Sequence, residues 1–135
     1  MKCLFDNNMP PKLARTLNYL EGDDGISVEH LKNKFPADIS DIEWLHELAK
    51  EGEWFVITHD NQIRSRAHER KAWQESHIPI VFLQKSWINH DLWEIAWRFI
   101  KYWPNLKKSV CFNRNNESFE LSINGKITVI GQIYS

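Results

Sequence analysis

The spacing of apolar positions changes several times along the chain, and each change marks a predicted element. Residues 2–5 are a short apolar run that reads as a strand. Pro10 and Pro11 suit the first turn of a helix, where a missing amide hydrogen costs nothing, and Leu13, Leu17 and Leu20 follow at helical spacing. The stretch Gly22-Asp-Asp-Gly25 stops that helix, and residues 26–31 alternate as a second strand would. After a polar loop containing Pro36, Ser40 and Glu43 match the capping box, with Ile42, Leu45 and Ala49 as the apolar face of the next helix. Gly52 ends it. Residues 54–58 read as a third strand, 64–76 as a charged helix with Ala67 and Trp73 on its thin apolar side, and 79–83 as a fourth strand.

The order βαβαβαβ predicts an α/β, three-layer fold: a parallel central sheet with helices on both faces. Residues 86–103 are the most periodic segment, with Ile88, Leu92, Ile95, Ala96, Phe99, Ile100 and Trp103 on one face, and Pro104 is expected to end that helix. Beyond it the period becomes two, through Val110 and Phe112, then Phe119, Leu121 and Ile123, then Ile127, Val129 and Ile133. Asn124-Gly125 is a hairpin signal. The expectation is one domain over 1–135, an α/β core at 1–105 carrying a C-terminal antiparallel β meander at 106–135.

Composition adds limits. At 135 residues with a formal net charge of −1, one domain can build a core without staples, and no whole-molecule field draws it to nucleic acid. Cys3 and Cys111 lack metal-ligand spacing; both fall in predicted strands and read as buried thiols of a reducing cytosol. Asp6 and Pro10 interrupt the N-terminal apolar run too soon for a signal peptide, and no stretch is long enough to span a bilayer, so the expected setting is cytoplasmic, with no membrane contact. No His-x-x-x-His occurs, and His30, His46, His77 and His90 read as surface or satisfied core residues, which argues against a histidine-based zinc centre. Of seven tryptophans most should be core. Trp93 and Trp97 fall off the main face of the long helix; burial beneath the C-terminal strands is the simpler expectation, and a homodimer or protein-partner contact is the alternative.

Candidate chemistry lies in the acids. Asp6 and Asp60 each follow an apolar strand directly, while Asp41 and Glu43 sit in the first turn of a helix. Ligands in an open parallel sheet collect beyond the carboxyl ends of its strands, so these acids share one edge however far apart they lie in sequence. Taken singly, Asp6 or Asp60 is ordinary turn chemistry, and Glu43 has a capping task of its own. Jointly they suit a hard divalent ion such as magnesium, which carries charge on phosphate oxygens and activates water for phosphodiester hydrolysis.

The segments Phe5-Asp-Asn-Asn-Met-Pro-Pro11, Ser40-Asp-Ile-Glu-Trp-Leu45 and Val56-Ile-Thr-His-Asp60 resemble the PIN-like nucleases, and more narrowly the VapC-type toxins of bacterial toxin–antitoxin operons. The resemblance covers about the first two-thirds of the chain. It implies magnesium or manganese held by Asp6, Asp41 and Asp60, with Glu43 a weaker candidate, single-stranded RNA as substrate and a cognate antitoxin protein as partner. Many relatives carry a further acid just after the Thr-x-Asp aspartate, where this chain has Asn61 and Gln62; relatives also carry one beside the first aspartate, where it has Asn7 and Asn8. A module that has lost its full acid set and works through binding is therefore the competing expectation, and a nuclease acting on DNA shares the same chemistry.

A basic stripe follows Asp60. On a helix, Arg66 and Arg70 share a face, with Arg64 and His68 on the next stripe, and Lys71 close by. Arg64, Arg66, Arg70 and Lys12, with Asn61, are the candidate substrate contacts; Arg15, Lys32 and Lys34 extend the patch. The plainer alternative is a solvated helix face paired with Glu69 and Glu75.

Overall fold

The computed structural model describes residues 1–113 and 115–131. In chain order the elements are β1 (Lys2–Phe5), α1 (Pro11–Glu21), β2 (Ser27–His30), α2 (Leu31–Lys34), α3 (Asp41–Glu51), β3 (Trp54–Thr58), α4 (Gln62–Ser65), α5 (Ala67–Ser76), β4 (Ile80–Leu83), a 3-10 turn (Lys85–Asn89), α6 (Leu92–Cys111), β5 (Ser118–Leu121) and β6 (Ile127–Gly131). They build a single sheet in the order β2-β1-β3-β4-β5-β6, parallel throughout except for the antiparallel pair β5–β6. The predicted α/β architecture is the observed one.

The two faces follow from alternation along each strand. Cys3, Phe5, Phe55, Ile57, Val81, Leu83, Phe119 and Leu121 point to the layer formed with α1 and α6. Leu4, Val56, Ile80 and Phe82 point to the layer formed with α3 and α5. Every position of β3 and β4 is buried, as expected of strands covered on both faces.

Several boundaries differ from expectation. Pro104 does not end the long helix, because α6 runs through it to Cys111. Phe99, Trp103, Leu106 and Val110 keep the helical apolar period beyond the proline, and all four are buried in the core. That burial outweighs the lost backbone bond. Val110 and Cys111 are therefore helical, Phe112 is exposed, and Cys111 is exposed where burial was expected. Ile88 lies on the 3-10 turn and faces solvent, before α6 begins at Leu92. The charged helix expected at 64–76 breaks at Arg66, whose extended backbone separates α4 from α5. On α3 the buried face is Trp44, Leu45 and Leu48; Ile42 and Ala49 are exposed, as is Leu20 on α1.

The C-terminal strands form a hairpin grafted onto the main sheet. β5 is a fifth parallel strand beside β4, reached by α6 as its crossover, and only β6 reverses direction. The turn lies where Asn124-Gly125 placed it, closed by the Ser122 amide donating to the Lys126 carbonyl at 3.0 Å. Gly125 has φ 90°, and a Cβ there would fall 2.6 Å from Tyr102 Cε1, so the residue must be glycine. Ile133 lies outside the described residues. Five tryptophans are buried, but Trp93 and Trp97 are 81% and 47% exposed, so the expected burial under the C-terminal strands does not occur.

Pro104→Ala is expected to stabilise the fold by about 1–3 kcal/mol, because it restores a helix-interior amide without touching the core. A urea midpoint equal to or below wild type would show that the proline bend is required for Leu106 and Val110 to seat.

Candidate active site

The strand order reverses at β1: β2 lies on one side and β3 on the other. In a doubly wound sheet that switch point opens a crevice beyond the carboxyl ends of the two strands. Asp6 follows β1 and Asp60 lies two residues past β3, so both border the crevice. The parallel register sets Phe5 opposite Ile57, and the Asp6 amide extends the ladder to the Ile57 carbonyl at 2.9 Å. Asp6 and Thr58 are consequently neighbours.

Thr58 is fully buried and its hydroxyl joins the two acids. It donates to Asp6 Oδ2 at 2.8 Å and accepts the Asp60 backbone N–H at 3.0 Å. The other Asp6 oxygen accepts the Asn7 amide at 2.7 Å. Asn8 Oδ1 accepts the His59 amide at 3.4 Å, tying the loop after β1 to the loop after β3. Asp60 Oδ1 accepts the Gln62 amide at 2.9 Å and so starts α4. Behind this loop sits His30, buried, with Nδ1 accepting the Lys32 amide at 3.1 Å and Nε2 2.7 Å from the Met9 carbonyl. Burial lowers the His30 pKa, so it acts as a neutral brace, a satisfied core histidine.

The third acid comes from the other side of the crevice. Ser40 and Glu43 form the reciprocal capping box at the start of α3, with bonds of 3.2 and 3.3 Å. Asp41 is the first helical residue, and its Oδ1 accepts the indole N–H of fully buried Trp44 at 2.9 Å, which orients the carboxylate. Glu43 spends its side chain on the cap and lines a groove with Ile42 and His46 between α3 and α5.

Electrostatics tie the acids together. Burial pushes the Asp6 carboxyl up to about 6; the charges of Asp41 and Asp60 add to that shift, and the Thr58 hydroxyl and Asn7 amide oppose it. Burial likewise raises Asp41, with Asp60 and Glu69 adding and the Trp44 N–H and Arg66 opposing. Asp6, Asp41 and Asp60 therefore act on one another across one crevice. Glu69, in the first turn of α5, joins them. In sequence Glu69 reads only as a partner for surface arginines; three residues beyond the Arg66 break, no motif marks it.

The basic candidates separate. Arg66 faces Asp41, near the acids. Arg64 turns away, its Nη1 donating to Glu120 Oε1 on β5 at 2.7 Å. Arg70 and Lys12 are exposed on α5 and α1, and Asn61 is half-buried beside Asp60. Arg66, at the start of α5, keeps its i,i+4 relation to Arg70, whose amide donates to the Arg66 carbonyl at 2.9 Å, whereas the Arg64–His68 stripe does not form because those residues stand on different helices.

Among the described residues, no group of three or more His, Cys, Asp or Glu side chains is arranged to hold a metal ion directly. The donor chemistry nevertheless suits a hard cation: carboxylate oxygens, two of them on groups whose pKa is raised by burial first and by the neighbouring acids second.

Fold and site together define an α/β protein with an acidic crevice at its topological switch point. The sequence matches the family model of the PIN-like domain over residues 1–85, well over half of the chain, and the protein belongs to that family of nuclease-type domains. Asp6, Asp41, Asp60 and Glu69 all lie within the matched stretch. No curated protein and no solved structure matches the chain. No helix among the described residues is long and apolar enough to cross a membrane.

The raised pKa fixes the direction of a pH effect. Asp6 is protonated more readily folded than unfolded, so its contribution to stability is complete below about pH 4 and is lost as pH rises through about 6. Asp6→Asn is expected to match wild type near pH 4 and to be more stable at pH 8 by on the order of 2 kcal/mol, read by urea denaturation in EDTA. An unchanged difference across that range would contradict the buried-charge assignment. Thr58→Val should act oppositely, destabilising by about 1–3 kcal/mol because Asp6 Oδ2 loses its donor, while Thr58→Ser retains most of it.

Proposed function

We propose that this protein is a divalent-metal-dependent endoribonuclease that cleaves single-stranded RNA at the Asp6–Asp41–Asp60 crevice, and that it serves as the toxin of a type II toxin–antitoxin pair. The observation that carries the reading is that carboxylates from β1, α3 and the end of β3 border one crevice, where the charges of Asp41 and Asp60 act on Asp6 and that of Asp60 acts on Asp41. Family membership supports nuclease chemistry in general. RNA as substrate, an antitoxin partner and a cytoplasmic setting rest on the VapC-like sequence resemblance.

Magnesium or manganese would be held by Asp6, Asp41 and Asp60. Magnesium keeps several waters and needs only one or two carboxylates, which suits acids that face one crevice without closing into a cage. Bound there, such an ion would supply charge stabilisation for the phosphate and would lower the pKa of a water beside it. Asp6 stays fixed by Thr58, and Asp41 by Trp44, so neither carboxylate must reorganise during the reaction. Arg66, exposed and close to Asp41, draws the RNA backbone toward the acids, and Lys12 and Arg70 extend that attraction. By family analogy the products carry 5′-phosphate and 3′-hydroxyl ends. Exposed Trp93 and Trp97 are the surface for an antitoxin or for a second copy.

A second reading is a PIN-like module that binds RNA or protein without cleaving. The lack of a preassembled three-ligand group among the described residues favours it. Asp60→Asn separates the two, because the amide oxygen can still accept the Gln62 N–H and keep α4 in place. The variant is expected to lose RNA cleavage by at least about a hundredfold and to lose growth inhibition, with an unchanged melting profile. Equal cleavage by mutant and wild type would refute the assignment. Calorimetry with millimolar magnesium should show binding heat for wild type; none, together with no cleavage, establishes the binding module.

A further inference from the structure

A cavity of about 440 Å³ lies beyond the carboxyl end of β4, lined by Asn61, Arg64, Ser65, Gln84, Lys85 and Glu120 among others. Asn61 follows Asp60 directly, so the cavity adjoins the acidic crevice. Successive strands stand about 4.8 Å apart, which puts Gln84 one strand over from Asp60 and Glu120 two strands over.

The lining is unlike a grip for backbone phosphate. Such a grip is built of cations and neutral donors, because phosphate oxygens only accept. Here Arg64 Nη1 is held by Glu120 Oε1 at 2.7 Å, and Glu120 Oε2 accepts the Gln84 amide at 3.3 Å. Arg64 also lies over the Phe82 ring, 4.9 Å from its centroid, which fixes the guanidinium plane. The Arg64 charge holds the Glu120 carboxyl below its ordinary range, so an anion faces the cavity alongside the cations. Register sets Glu120 opposite Phe82, on the face where the other strands carry apolar side chains. An acid at such a position breaks the pattern of its strand, and exceptions of that kind tend to mark function. The pair remains accessible, with side chains 28% and 29% exposed. Two amides, a hydroxyl, a fixed guanidinium and a carboxylate offer donors and acceptors side by side. A nucleobase edge has that same mixed character; a phosphate does not.

We infer that this cavity is a nucleobase subsite, in which Glu120, Gln84 and Arg64 read one base of the strand whose phosphodiester lies at Asp6 and Asp60. The substrate class rests on the nuclease reading above; the base selectivity rests on the cavity itself.

The test needs neither metal nor cleavage. The full chain, isotope-labelled and in EDTA, is titrated with the four nucleoside 5′-monophosphates, with ribose 5-phosphate and with inorganic phosphate, while the side-chain amide signals of Gln84 and Asn61 are followed by NMR. One base is expected to bind at least about fivefold more tightly than the weakest, the discrimination of a single good edge contact. Ribose 5-phosphate and phosphate should leave those signals in place. Glu120→Gln should bring the four bases to within about twofold of one another. If that variant fails to fold, Gln84→Ala, at an exposed position with the Arg64–Glu120 pair intact, is expected to weaken the preference as well. Equal response to ribose 5-phosphate, equal binding of all four bases by wild type, or a preference untouched in the folded variant would overturn the inference. Base-selective binding without RNA cleavage would sink the nuclease reading and keep the subsite; cleavage without base selectivity would do the reverse.

Discussion

One hydrogen bond, from the Thr58 hydroxyl to Asp6, depends on almost everything else about the fold. It exists because β1 and β3 pair in parallel with Phe5 opposite Ile57, which leaves Asp6 and Thr58 side by side at the ends of their strands. A slip of one residue would turn Asp6 to the other face of the sheet. The apolar alternation of both strands forbids that slip: Phe5 and Ile57 belong to the core under α1 and α6, Leu4 and Val56 to the core under α3 and α5. Two hydrophobic layers thus fix the position of one carboxylate. The same hydroxyl then receives the Asp60 amide, so the second acid is placed by the first.

That arrangement carries a cost which hydrogen bonding does not remove. Asp6 is satisfied at both oxygens but is 4% exposed and faces Asp41 and Asp60, and it is held near pKa 6. Thr58 and Asn7 orient the charge without neutralising it. A cation in the crevice would relieve the repulsion, which is the electrostatic logic of a metal site. Arg66 answers only part of it, from the Asp41 side. With a whole-chain charge of −1, any anionic ligand approaching these acids must be drawn by local cations rather than by a general field.

Legibility in the sequence followed the range of each signal. Strand runs such as Val56-Ile-Thr58 and the Ser40–Glu43 box are local patterns, and the structure has both where the sequence puts them. The convergence of Asp6 and Asp60 at one edge was legible too, because parallel topology follows from the βαβ order alone. The Pro104 expectation failed because a local rule met a longer pattern: Trp103, Leu106 and Val110 continue the helical period, whereas Val110 and Phe112 sample period two only once. The Arg64–Glu120 ion pair is not legible in the sequence, because the two residues lie 56 positions apart and no local pattern names the strand that carries Glu120. Glu69 was missed for a related reason. Its approach to Asp41 depends on the break at Arg66, and an extended residue between two short helices has no period to betray it.

The route taken by the C-terminal third changes what the crevice can become. The family-matched stretch ends at residue 85, just past β4, and contains all the acids of the switch point. Had the tail folded as a separate antiparallel layer, the sheet would end at β4 and Gln84 would have no Glu120 beside it. Instead α6 crosses over and lays β5 parallel against β4, with Glu120 in register beside Phe82. The crossover reaches that far only because the helix persists through Pro104 and buries Leu106 and Val110. A packing decision at one proline therefore determines whether a carboxylate from β5 can stand two strands from Asp60. The family-matched stretch holds Asp6, Asp41 and Asp60, whereas the Arg64–Glu120 pair and the exposed Trp93 depend on residues beyond it.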